Sequence, residues 1–474
     1  MGKRILTLLF VLSLFMSGCV YHNFKGMPDG TDYAGETYFV SEDQVSFLYD
    51  LTYQENGKRI ADQEIFDTMF EHIEKAQKYI LLDMFLFNKY MGKEDQSYRD
   101  VCGEMTELLV KKAVVDSVTI DFITDPINNV YGGDILPELT KMEEAGINVI
   151  ITDLDKMPDS NLIYSPFWRT FIQWFGNSPE KGIFPHPFNN GDKITLRSYL
   201  RLLNFKANHR KVFLADYEDT WAAIVTSANP HNGSSAHCNV GILIYGDFAS
   251  DLYFAEKAVA DFSEKELSVD MKLKNDPQGE LRLKLISEHE IEKHLLNEIK
   301  RTTKNDSIKI GMFYLSDRDV IENLISASNR GVNIKIILDA NKDAFGRKKN
   351  GVPNRPVAYE LHKKSNGNIK IKWYNTHGEQ FHSKFILVQH YQEDDALILG
   401  SANLTKRNIG NKNLELDVQL IADDDTEIMQ DVREYYNLIW YDENYCLDYH
   451  RYYSRSLFKT MFYRLAEGLG ASTF

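Results

Sequence analysis

The sequence predicts an α/β fold built from two duplicated halves. Two observations carry this: a strand–helix–strand order runs through the chain twice, and each pass ends in an apolar strand headed by a His-x-Lys pair with a small-small-x-Asn turn behind it. The chain has 474 residues and 43% hydrophobic content, enough to bury a large core and to form two domains rather than one.

The elements follow in order. Lys3 and Arg4 precede an apolar run over 5–16, and Ser17 and Gly18 stand just before Cys19. The run is too short to span a membrane as a mature helix and resembles a bacterial lipoprotein signal. That resemblance implies cleavage after residue 18, lipidation of Cys19 and a body held outside the cytoplasmic membrane, on the bacterial cell membrane or envelope. Residues 19–43, rich in Gly, Asp and Tyr, read as a tether. The first domain then covers 44–266. Ile65, Phe66, Met69, Phe70, Ile73 and Ala76 recur at helical spacing, and a buried strand follows over 79–86. A helix over 97–114, a strand over 118–123, a helix near 135–145 and a strand over 149–151 complete the first pass. Such units predict a largely parallel sheet with helices on its faces.

Residues 265–280, charged and carrying Pro277 and Gly279, read as a linker. The second domain, 280–440, repeats the order: helix 288–301, strand 307–314, helix 317–329, strand 332–338, helix 356–365, strand 368–373. One asymmetry separates the halves. The first spends residues 155–207 before its His-x-Lys strand, an insertion rich in aromatics such as Tyr164, Phe167, Trp168, Phe171, Trp174 and Phe188. Long insertions are often functional, and this one reads either as a local helical excursion or as a surface that guides a lipid to the site. The tail, 441–474, places Arg451, Arg455 and Lys459 on one stripe and Tyr453, Leu457, Met461 and Leu465 on another. The apolar stripe either packs on the second domain or lies on anionic lipid.

Composition excludes several classes. With 54 Lys and Arg against 69 Asp and Glu, the net charge is −15, which argues against a nucleic-acid partner held by phosphate neutralisation. The four cysteines include no C-x-x-C pair, so neither a disulfide framework nor a cysteine metal site is indicated.

The chemistry sits in the motifs. His209 and Lys211 lie two apart at the head of an apolar strand and so share one face; Thr226, Ser227, Ala228 and Asn229 follow. His382 and Lys384 repeat the pattern, with Gly400, Ser401, Ala402 and Asn403 behind. His362, Lys363 and Lys364 also contain His-x-Lys, but at a helix end and without the turn. Two lysines and two asparagines supply charge and donors for the non-bridging oxygens of a phosphodiester, so no metal or other cofactor is required. One neutral histidine can attack phosphorus while the other, protonated, delivers a proton to the leaving alcohol.

These residues, His209, Lys211, Asp216 and Asn229 with His382, Lys384, Gly400, Ser401 and Asn403, resemble the phospholipase D superfamily over most of 40–440. The resemblance implies two α/β halves facing each other with one active site at their interface. It implies too that Asn239 and Glu415, some thirty residues after the histidines, stand where the family orients a histidine ring. Read along the chain, Glu415 belongs to His382 and makes it the acid, leaving His209 as nucleophile. Ser227, Ser401 and Asn239 are expected to touch substrate. Asp216 has Gln389 as its counterpart, a difference outside the phosphate grip. The function expected is hydrolysis or transfer of a phosphatidyl group on a phospholipid at a membrane surface, with cardiolipin synthesis and a secreted nuclease as alternatives. Head group and oligomeric state are left open.

Overall fold

The computed structural model describes residues 25–91, 98–189, 192–344 and 347–470, with positions 6, 7, 10 and 13 helical. Cys19 and most of the leader lie outside the described residues. Two large sheets dominate. In the first, Val45–Glu55, Val240–Tyr245, Thr220–Thr226, Lys211–Tyr217, Tyr79–Met84, Thr119–Thr124 and Asn148–Ile151 lie side by side in that order, with Lys58–Gln63 outside Val45–Glu55. In the second, Leu281–Ser287, Leu416–Ala422, Asp395–Gly400, Lys384–Gln389, Ser307–Met312, Asn333–Leu338 and Lys370–Tyr374 take the same order. The duplication read from the motifs is thus a duplication of sheet topology.

The sheets are mixed, not largely parallel as expected. Tyr79–Met84, Thr119–Thr124 and Asn148–Ile151 are parallel, joined by the predicted helices Val101–Val114 and Pro137–Glu144. The His-x-Lys strand, however, turns back antiparallel against Tyr79–Met84 and forms a hairpin with Thr220–Thr226. The turn at Glu218 and Asp219 is too short for a crossover, and Glu218 accepts φ +50° to close it. Helical boundaries agree closely with the periodicity: Glu64–Lys75 buries Ile65, Phe66, Met69 and Ile73, the positions that set its spacing.

Residues 25–43 are no free tether. Tyr38–Val40 pairs with Leu281–Leu283 at the edge of the second sheet, and the Asp32 amide donates to Glu288 at 2.7 Å. An edge strand offers unpaired backbone groups, and this segment takes them. The 265–280 stretch is pinned as well, since Ser268 donates to Asp121 at 2.7 Å and the Gln278 amide to Phe39 O at 2.9 Å.

Among the described residues, one of the three buried apolar clusters spans both halves. Val212, Leu214, Val225 and Ile242 from the first sheet pack in the same buried cluster as Phe385, Leu399 and Val418 from the second. Backbone bonds stitch them: His209 N to Leu414 O at 2.9 Å, Leu414 N to Ala207 O at 3.0 Å and Cys238 N to Gln380 O at 3.0 Å. Arg210, the middle residue of the first motif, is fully buried and donates to Glu288 at 2.8 Å, while Glu288 also accepts the Glu415 amide at 3.1 Å. A paired buried cation therefore locks the two motifs together.

The insertion forms short helices, Tyr164–Phe167 and Leu196–Arg201, around a small hairpin. The tail helix Leu457–Leu469 corrects the packing alternative, because its Leu457, Met461 and Leu465 are 79%, 71% and 64% exposed. Tyr463, Ala466 and Glu467 make its buried contacts instead, which the four-residue stripe did not include. No helix among the described residues is long and apolar enough to cross a membrane.

Candidate active site

Register builds the site. Lys211 lies opposite Met84 and Lys384 opposite Met312, the last residues of the neighbouring strands. The next residue in each neighbour, Phe85 or Phe313, then brings its ring within 4.7 Å of His209 or 5.0 Å of His382. The same rings lie under the ammonium groups, 5.1 Å from Lys211 Nζ and 5.4 Å from Lys384 Nζ. Lys211 donates to His209 O, and Lys384 Nζ donates to His382 O at 2.7 Å. A buried aspartate just after Thr119–Thr124 or Asn333–Leu338 holds each motif's entry: Asp125 accepts the Asn208 amide at 2.7 Å and Asp339 the Phe381 amide at 2.9 Å.

His209, His382, Asn229 and Asn403 come together on one cavity of about 400 Å³ between the halves, with Lys211 and Lys384 buried behind the histidines. Asn229 Oδ1 accepts the Leu86 amide at 3.1 Å, so its NH2 group is the end left for a ligand. The remaining wall comes partly from the insertion, through Pro187, Phe188, Leu202 and Phe205.

The ring partners cross between the halves, which corrects the pairing read from chain order. Glu415 Oε2 lies 2.9 Å from Nδ1 of His209, not His382. Asn239 Oδ1 lies 3.2 Å from Nδ1 of His382. The cause is the interface geometry: each orienting residue starts a strand beside its own motif strand's hairpin partner, and that strand end faces the opposite half. Glu415 accepts from Ser401 Oγ at 2.5 Å and from Asn408 Nδ2. Asn239 donates to Asp50 at 3.1 Å, and Ser227 Oγ donates to Asn239 at 3.3 Å. With carboxylate or amide oxygen on Nδ1–H, each ring turns Nε2 toward the cavity.

Ser227, Ser401 and Asn239 therefore sit behind the histidines, where the expectation had them at the substrate; none lines the cavity. Asp216 is structural, as read: it accepts the amides of Gln77, Lys78 and Tyr79 at 3.0, 2.8 and 2.8 Å. Gln389 fills the corresponding place by accepting from Ser307 Oγ at 3.1 Å.

Electrostatics follow from burial. Both histidines are held well below the usual range, first by burial and then by nearby lysines, which keeps the rings neutral in the empty site. Burial pulls Lys211 down to about 7 and Lys384 well below its ordinary value, and a phosphate anion bound nearby would act in the opposite direction. Glu415 is pushed up to about 8 by burial, against the pull of Lys211, Ser401 and Asn408. Asp50 is pushed up to about 8 for the same first reason.

Residues absent from the sequence reading also belong here. His237 lines the cavity with its ring 5.7 Å from that of His382. Lys206, Arg407 and Asn413 line the other side. Asp125 and Asp339 had a legible signal, an acidic residue just past the second apolar strand read in each half. His237 had none, because its counterpart in the second half is not a histidine.

Residues 295–440 match the family described as "Cardiolipin synthase, PLD-like domain". The solved phosphatidylserine synthase of Haemophilus influenzae Rd KW20 is similar over 95% of this chain and 97% of its own, at 12% identity and a TM-score of 0.55. A phospholipase D family member, Nuc from Salmonella typhimurium, aligns with 37% of this chain and all of its own, at 21% identity and a TM-score of 0.29. No curated protein matches the sequence.

Proposed function

From the premise that this chain belongs to the phospholipase D superfamily, we propose that it is a phosphodiesterase or phosphatidyltransferase acting on phospholipids through a phosphohistidine on His209. The observation that carries this is the convergence of two His-x-Lys strands on one cavity, each histidine held by a residue from the other half. The amides of Asn229 and Asn403 line the cavity and donate to the non-bridging oxygens, while Lys211 and Lys384, buried directly behind the histidines, supply positive charge. Nε2 of His209 attacks phosphorus, and Glu415 stabilises the positive ring that the new N–P bond creates. His382 is the acid: the bound phosphodiester anion offsets part of the burial and lysine effects on its ring so that it carries a proton in the complex, and with only the amide of Asn239 on Nδ1 it gives that proton readily to the leaving alcohol. It then takes a proton from water or from an incoming alcohol, which displaces His209. The nucleophile stays at His209, but for a different reason: Glu415 stands beside the ring that becomes cationic when its Nε2 bonds to phosphorus.

Lipid is favoured over nucleic acid by the −15 charge and by the apolar cavity wall from Phe188, Leu202 and Phe205. Exposed Phe171, Trp174, Phe175, Leu457, Phe458 and Met461 on the insertion and tail supply a surface for the bilayer. A lipid on Cys19 would anchor the body outside the cytoplasmic membrane, with these residues orienting it. Synthesis of cardiolipin, with a phospholipid as the incoming alcohol, is supported by the family description over 295–440. The test is release of choline, ethanolamine or glycerol from phospholipid vesicles, run beside plasmid degradation. Head-group release with intact plasmid is expected; plasmid cleavage without lipid turnover would overturn the lipid assignment.

A further inference from the structure

On the His209 side of the cavity, a second cation is built into the wall. Arg407 is 8% exposed, and its guanidinium lies 4.9 Å over the Phe205 ring. Its Nη2 donates to Gly470 O at 2.9 Å, whereas its Nε is buried with no hydrogen-bond partner. Beside it in the lining stand Lys206, 9% exposed, and Asn413, whose Oδ1 is likewise buried and unpartnered. Buried guanidinium donors are ordinarily satisfied, and leaving one unpaired costs free energy unless a ligand completes it. Nearby acids do not fill the vacancy: Glu467 accepts from Ser316 and the Lys406 amide, and Asp159 pairs with Arg169 at 2.5 Å and with Lys206 at 3.4 Å. Burial lowers Arg407 to about 10, still fully charged at neutral pH. Lys206, already tied to Asp159 and to Met157 O at 2.8 Å, is the weaker contributor.

We propose that Arg407, assisted by Lys206 and Asn413, forms a second phosphate subsite in the catalytic cavity, so that the reaction involves two phosphates at once. Asn229 and Asn403, backed by the charge of Lys211 and Lys384, hold the phosphate under attack, and Arg407 holds another. That second phosphate has two possible sources, the diphosphate group of a donor or the phosphodiester of a phospholipid acceptor. The proposal rests on the phosphodiesterase reading above and refines it.

Calorimetry on the full chain separates the cases with three probes: inorganic phosphate, pyrophosphate and glycerol 1,3-bisphosphate. One bisphosphate is expected to bind about 10- to 100-fold more tightly than phosphate, as a charge-assisted contact at a buried arginine provides. Pyrophosphate in that role identifies a diphosphate donor; glycerol bisphosphate identifies a phospholipid acceptor. Arg407→Gln should remove most of the margin, and Arg407→Lys should keep part of it. A margin that survives Arg407→Gln, or bisphosphates that bind no better than phosphate to the wild type, would overturn the second subsite. Absence of the margin in the wild type overturns the subsite even if the variants do not fold. Phosphate binding that disappears in Lys384→Ala while no bisphosphate margin exists removes only this subsite; no binding of any probe to the wild type removes the phosphodiesterase reading as well.

Discussion

Replacing Glu415 with Gln keeps the shape of the side chain and removes its charge, so it isolates what the carboxylate does for His209. The pair is fully buried on the Glu415 side, at 2.9 Å. A hydrogen bond to a charged group contributes about 1.5–3 kcal/mol. The substitution also turns an N–H toward one of two donors, Ser401 Oγ or Asn408 Nδ2, which adds a further clash of like ends. A total near 2–4 kcal/mol predicts that phosphohistidine formation slows by roughly 30- to 1000-fold. The assay is rapid quench with a short-chain phospholipid labelled at phosphorus, which reads the covalent step apart from its hydrolysis. The pH profile gives a second reading. Only ionised Glu415 stabilises the cationic ring, and burial places its carboxyl at about 8, so the wild-type rate of this step should rise with pH through that region. Glu415→Gln should lose that limb. A variant within about threefold of wild type with the same pH profile would refute the role given to the carboxylate.

Four further outcomes are expected. The folded pKa of Glu415 is raised, so its ionisation costs stability as pH climbs from about 4.5 toward 8, and Glu415→Gln should gain in melting temperature relative to wild type over that window; a constant difference would contradict the burial argument. Arg210→Ala leaves Glu288 and Glu256 buried without their cation and should destabilise the fold by about 3–5 kcal/mol in urea unfolding, whereas a loss below about 1 kcal/mol would show that the halves do not depend on this lock. Turnover should survive EDTA, because Lys211 and Lys384 supply the positive charge that a divalent ion gives other phosphodiesterases; complete loss restored by one metal would contradict this. Phe458→Ser with Met461→Ser, both on the exposed face of the tail helix, should weaken binding to anionic vesicles while leaving the melting temperature unchanged, and undiminished vesicle binding would leave that face without a role at the bilayer.

What the sequence made legible was local. His209, Lys211, His382 and Lys384 share strand faces because a period of two leaves no choice, and the helix ending at Lys75 buries the apolar positions that announced it. The duplicated order of seven strands was visible only as repeated alternation, because pairing partners such as Val240–Tyr245 and Val45–Glu55 lie far apart in the chain. The antiparallel hairpin after each motif went unread since its strands are as apolar as parallel ones. Pairing across the interface was the least legible feature of all. Spacing along a chain assigns Glu415 to the histidine of its own half, and only the facing of two sheets gives it to His209. The same holds for Arg407, whose position beside Phe205 joins segments two hundred residues apart.

The most direct measurement is the site of covalent attachment. His382→Ala incubated with a phosphodiester carrying a p-nitrophenolate leaving group needs no acid for the first step and lacks the base for the second, so the adduct should accumulate. Peptide mass spectrometry is predicted to find the phosphoryl group on the peptide that contains His209, in nearly stoichiometric amount, and to find none in His209→Ala. An adduct on His382 of the wild type, or turnover by His209→Ala with the same activated substrate, would contradict the proposed mechanism.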